Sequence, residues 1–136
     1  MTKKELANLL HNQKYNCAQA VACAFAEDFE IDPQLVFKMC EGFGLGMGCM
    51  NGTCGAISGA VAILGLKNSD GNLSSPSTKL NTYQLSKMLH DQFNTKNNST
   101  ICSELKGIHT GKPLRSCSGC IEDAVEILEQ ILQLNM

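Results

Sequence analysis

Apolar residues recur at three- and four-residue intervals along most of this chain, the period of a helix with one buried face. The first such stretch carries Leu6, Leu9 and Leu10 behind Thr2 and Glu5, spaced as a capping box. A second helix is expected from Cys17 to about Phe29, with Asn16 as its cap and Gln19 at the third position. Its residues are nearly all small or apolar, which marks a buried central helix. Asp32-Pro33 reads as an N-cap followed by an N1 proline and opens a third helix with Leu35, Val36, Met39 and Cys40.

Further helices are expected from about Thr53 to Leu66 and from about Thr78 to Asn94, with a polar loop from Lys67 to Ser77 between them. A short turn is expected near Cys102–Leu105. A last helix runs from about Gly119 to Leu134, its buried stripe marked by Ile121, Val125, Leu128 and Leu132. No strand alternation stands out. The pattern predicts an all-α, compact single-domain helical bundle of about five to six helices over residues 1–136.

Glycine punctuates two regions. Gly42, Gly44, Gly46, Gly48 and Gly52 contain no GxGxxG frame and no following GK[ST], so a nucleotide loop gives way to a flexible turn between packed helices. Gly55 and Gly59, with Ala56 and Ala60 beside them, form a small-residue face that lets another helix approach closely.

Composition narrows the function classes. The chain has 136 residues, 43% of them hydrophobic and 18% charged, which excludes a disordered chain. Net charge is −2 and Arg115 is the one arginine, so there is no basic footprint for nucleic acid. Aromatic residues, at 5% with no tryptophan, supply no base-stacking platform. The longest mostly apolar run, Cys54 to Leu66, falls short of the ~20 residues that a membrane span needs. The start of the chain lacks an apolar signal-peptide core, and a cytoplasmic location with reduced or redox-active thiols is expected.

Cysteine is the outlier, with eight residues. Cys17, Cys54, Cys102 and Cys120 each fall in the first turn of an expected helical segment, where unpaired N–H groups and the helix dipole favour an anion. The dipole alone is worth about 0.3–1 kcal/mol, or roughly 0.2–0.7 of a pKa unit, so real activation needs a nearby cation or metal. Lys112 and Arg115 precede Cys117 and Cys120, while Glu122 and Asp123 follow and oppose them. Cys117-Ser118-Gly119-Cys120 is a CxxC, the form of a dithiol redox motif and also half of a zinc site. No second CxxC, no C-x₂-C-x₂-C run and no following histidine is present. Cys23 and Cys40 lie among apolar neighbours and read as packing residues, and the role of Cys49 is open. Of His11, His90 and His109, the last draws most attention because it lies in a loop between Cys102 and Cys117.

These residues resemble a known family. Asn16-Cys17-Ala18-Gln19-Ala20-Val21, then Gly44 to Gly48, then Cys54-Gly55-Ala56-Ile57-Ser58-Gly59 and Leu64-Gly65-Leu66 occur in order, followed by Cys102-Ser103-Glu104-Leu105 and the helix led by Cys120. Together they resemble the C_GCAxxG_C_C family of redox-active proteins, over about Tyr15 to Leu128. The resemblance implies that its four cysteines fall on Cys17, Cys54, Cys102 and Cys120, with Cys23, Cys40, Cys49 and Cys117 additional. It also implies relatives described as selenoproteins and genes near those of transporters.

Three functions follow as expectations. The first is a thiol–disulfide redox protein acting through Cys17, Cys54, Cys102, Cys117 and Cys120, with an unidentified redox partner or small molecule. In it Cys120 pairs with Cys117 or Cys102, and Cys17 lies near Cys54. The second is a four-cysteine site for zinc or an iron–sulfur cluster. The third is a non-catalytic, transporter-associated module whose cysteines only pack.

Overall fold

In the computed structural model, which describes residues 1–134, local sequence chemistry sets the helix starts. Helix α1 (Lys3–Asn12) begins at a complete capping box: Glu5 N donates to Thr2 Oγ1 at 3.1 Å and Thr2 N donates to Glu5 Oε1 at 3.3 Å. Helix α2 (Cys17–Ala26) repeats the device with Asn16 and Gln19, at 2.9 and 3.0 Å. A 3₁₀ turn over Glu27–Phe29 follows it. Helix α3 (Pro33–Cys40) starts at Asp32, which accepts from Gln34 N at 3.0 Å. Then come α4 (Gly55–Asn68), α5 (Lys79–Asn97), α6 (Cys102–Lys106) and α7 (Cys117–Leu134).

The all-helical expectation holds, with seven helices among the described residues instead of five to six. The extra one is α6, expected only as a turn, whose five residues lie below the length that periodicity resolves. Helix α7 also starts two residues earlier than expected. Ser116 caps it, accepting from Gly119 N at 3.0 Å, and so draws Cys117 into the first turn.

Helix α2 is the central post. Ala18, Ala20, Val21, Ala22 and Ala26 are fully buried, and Ala24 and Phe25 nearly so. Helix α4 crosses it through the expected glycine face: a Cβ on Gly59 would lie 2.5 Å from the Ala18 carbonyl oxygen. Ile121, Val125 and Leu128 of α7 close the core beside α1, α4 and α5, while Leu132 is only partly buried. No helix among the described residues is long and apolar enough to cross a membrane.

The glycine-rich stretch after α3 differs from the flexible turn expected. Leu45, Gly46, Met47 and Gly48 all have positive φ, from 55° to 77°, and make one turn of left-handed helix closed by Gly48 N donating to Gly44 O at 2.8 Å. Such a turn costs a non-glycine L-residue roughly 1–2 kcal/mol. Tertiary hydrogen bonds hold it in place. Gly52 N donates to Gly46 O at 3.1 Å, Ser103 N to Met50 O at 2.8 Å and Cys102 N to Gly52 O at 3.0 Å. Only glycine fits at 46, since a Cβ there would lie 2.4 Å from Cys102 Cβ.

The same region holds an isolated antiparallel bridge between Thr53 and Ile101. Cys54 N donates to Thr100 O at 2.8 Å. This bridge brings the starts of α4 and α6 side by side, and with them Cys54 and Cys102.

Candidate functional site

Four helix starts meet at one end of the bundle. Cys17, Cys102 and Cys117 are the first residues of α2, α6 and α7, Cys54 is the N-cap of α4, and Cys120 stands one turn into α7. All five line one cavity of about 210 Å³. His11, Lys106 and Arg115 add cationic or titratable groups to its wall. All eight cysteines are free thiols.

Two pairs of thiols lie close together in this cavity, Cys17 with Cys117 and Cys54 with Cys120. In the first pair the Cys17 thiol favours the charged form of Cys117. That neighbour, with Lys106 and His11 nearby, outweighs partial burial and brings the Cys117 thiol down to about 5 from the ordinary 9.0. Lys106 Nζ donates to Cys117 Sγ at 3.5 Å. The thiolate in turn raises the Lys106 pKa. Cys17 moves strongly the other way, raised by the Cys117 thiol and by burial beside other thiols.

The deeper pair has the same polarity. Cys54 is lowered by the Cys120 thiol and by the backbone N–H groups of Ala56 and Ile57. Cys120 is raised by the Cys54 thiol and by burial. The expectation pairs Cys120 with Cys117 or Cys102; in the structure the thiol that acts most on Cys120 is Cys54, on another helix. Cys17 does line the same cavity as Cys54, as expected. Cys102 stands outside both pairs, and burial pushes its thiol up against the pull of Lys106.

Arg115 is fixed from below. Asp123, 2% exposed, accepts from its Nε at 3.1 Å and its Nη2 at 3.2 Å, and also from Lys96 at 2.9 Å and Asn97 at 3.1 Å. Burial would raise the Asp123 carboxyl, but these partners hold it below the usual carboxylate value. Asp123 thus anchors the cation beside the CxxC instead of opposing it. Gly119 admits the arginine, since a Cβ there would lie 2.4 Å from its Nε.

A family described as "Putative redox-active protein (C_GCAxxG_C_C)" matches residues 15–131. The chain belongs to the C_GCAxxG_C_C family. No curated protein and no solved structure matches it. In this C_GCAxxG_C_C protein the lowest thiol pKa that stands out belongs to Cys117, outside the four positions reached by motif order.

The remaining cysteines divide. Cys40 is buried, and Cys23, half-buried, donates to Pro33 O at 3.7 Å. Burial and Cys40 push Cys23 up to about 11, as suits packing residues. Cys49 is exposed on the segment after the left-handed turn and donates to Gly46 O at 3.6 Å. His109 is exposed and does not line the cavity, whereas His11 does. Lys106 belongs to no motif in the sequence. Its position four residues after Cys102 on α6 was the available signal. Among the described residues no three His, Cys, Asp or Glu side chains come together in a way that holds a metal ion.

Proposed function

We propose that this protein is a thiol–disulfide redox protein that works through the Cys17/Cys117 pair at the shared helix starts. The observation that carries the reading is the placement of Cys117 Sγ 3.5 Å from Lys106 Nζ, in one cavity with Cys17 and three further cysteines. Cys117 attacks an incoming disulfide sulfur, and Cys17 then loses its proton and displaces the bound half. Two thiols leave, and a Cys17–Cys117 disulfide remains.

The low pKa has a specific consequence. At pH 7 Cys117 holds roughly thirtyfold more thiolate than a free thiol of pKa about 8.5, but intrinsic nucleophilicity falls by a comparable factor. The net gain is in leaving ability, because a sulfur of low pKa departs faster. A Cys17–Cys117 disulfide is then readily reopened and strongly oxidising, since its reduced form is the stabilised one.

Intact mass measurement of protein purified without air, before and after a mild oxidant, tests this. After an excess of oxidant, loss of hydrogens in pairs with a Cys17–Cys117 cross-linked peptide is the expected result. A protein in which both residues remain alkylatable under that excess overturns the reading.

A further inference from the structure

We propose that the two thiol pairs work in series, the Cys17/Cys117 pair taking a disulfide from outside and passing it inward to Cys54/Cys120. This rests on the function proposed above and extends it to a second, internal acceptor.

Three observations carry it. First, the pairs differ in depth: Cys54 and Cys120 are 6% and 3% exposed, whereas Cys17 and Cys117 are only partly buried. An external disulfide reaches the outer pair more easily. Second, the pairs share one cavity, and each has a member on the first turn of α7, where residues three apart are neighbours. Third, the other members are brought together by the α2–α4 crossing. A Cβ on Gly55, the residue after Cys54, would lie 3.3 Å from the backbone nitrogen of Ala18, the residue after Cys17.

The transfer balances in atoms and electrons. Cys54 loses its proton to solvent and attacks Cys17 Sγ. The Cys17–Cys117 bond breaks, Cys17–Cys54 forms, and Cys117 leaves as the thiolate beside Lys106. Cys120 then gives up its proton and attacks Cys54 Sγ, forming Cys54–Cys120. Cys17 leaves, and the proton released by Cys120 returns to it. The outer pair is restored as one thiol and one thiolate, ready for a second external disulfide. Attack falls on Cys17 and not on Cys117 because the sulfur of lower pKa is the better leaving group.

The test follows the reduced full chain after addition of less than one equivalent of hydroxyethyl disulfide, without air. Samples are quenched in acid, alkylated and mapped by peptide mass. In the wild-type chain Cys54–Cys120 is expected as the end product. In Cys54→Ala, Cys17–Cys117 is expected to accumulate. In Cys117→Ser, Cys54–Cys120 is expected to form about tenfold more slowly or worse, because the buried pair must then react directly. A Cys17–Cys117 bridge that persists in the wild type overturns the relay and leaves the outer redox pair standing. So does a Cys54–Cys120 bridge that forms equally fast without Cys117. Absence of the Cys17–Cys117 bridge from both the wild type and Cys54→Ala overturns the outer-pair function, and the relay with it.

Discussion

Lys106 Nζ lies 3.5 Å from Cys117 Sγ, and the two residues sit at opposite ends of their helices, the last of α6 and the first of α7. The thiolate therefore has a cation on one side and the unpaired N–H groups of a helix start on the other. Lys106→Gln removes the first and keeps the second. The Cys117 pKa is expected to rise from about 5 by about one unit, read from the pH dependence of its alkylation. An unchanged titration would show that the ammonium contributes nothing.

The Cys17 thiol also favours the thiolate at Cys117. Cys17→Ala is expected to raise the Cys117 pKa. Cys17→Ser, which keeps a donor, is expected to lie between wild type and Cys17→Ala in the same alkylation profile.

The pair also gives reduced-state stability a pH dependence. The folded-state pKa of Cys117 is depressed, so its contribution is present above the ordinary 9.0 and is lost as pH falls toward about 5. Cys17 is raised, so its contribution is present below 9.0 and is lost as pH rises beyond it. The urea midpoint of the reduced protein is expected to fall between pH 8 and pH 5. A Cys117→Ser chain should lose part of that slope, and an identical slope would refute the assignment.

Gly59→Ala tests the α2–α4 crossing. On an open helix face this change gains up to about 1 kcal/mol of helix propensity. Here the new Cβ meets the Ala18 carbonyl at 2.5 Å, backbone that cannot swing aside. A net loss of about 1–3 kcal/mol is expected in denaturant unfolding. A stabilised variant would mean that the helices separate freely.

Asp123→Asn removes the charge shared by Arg115 and Lys96. Both cations are partly exposed, so the loss is expected at about 1–3 kcal/mol, below that of a wholly buried pair. Loss of order at Arg115, seen as altered alkylation of Cys120, should accompany it.

Much of the fold was legible because its signals are local. The boxes at Thr2/Glu5 and Asn16/Gln19, Pro33 after Asp32, and the Gly55/Gly59 face each carry their geometry within a few residues. The gathering of Cys17, Cys54, Cys102 and Cys120 was also legible, since helix starts and thiols coincide in sequence. The pairing was not, because Cys17–Cys117 and Cys54–Cys120 are contacts between helices far apart in the chain. The left-handed turn at Leu45–Gly48 escaped for a related reason. Glycine spacing permits that conformation, but the hydrogen bonds from Cys102 and Ser103 onto the segment behind it hold it there.

The bridge between Thr53 and Ile101 also sets an order of events during synthesis. All of α4 and α5 lies between the two residues, so closing the bridge is a non-local step that follows local helix formation. The thiol partners of Cys17 and Cys54 both lie on α7, which is synthesised after α1 to α6. The nascent chain therefore displays Cys17 and Cys54 before those partners exist, and the thiol cluster closes only once α7 is made.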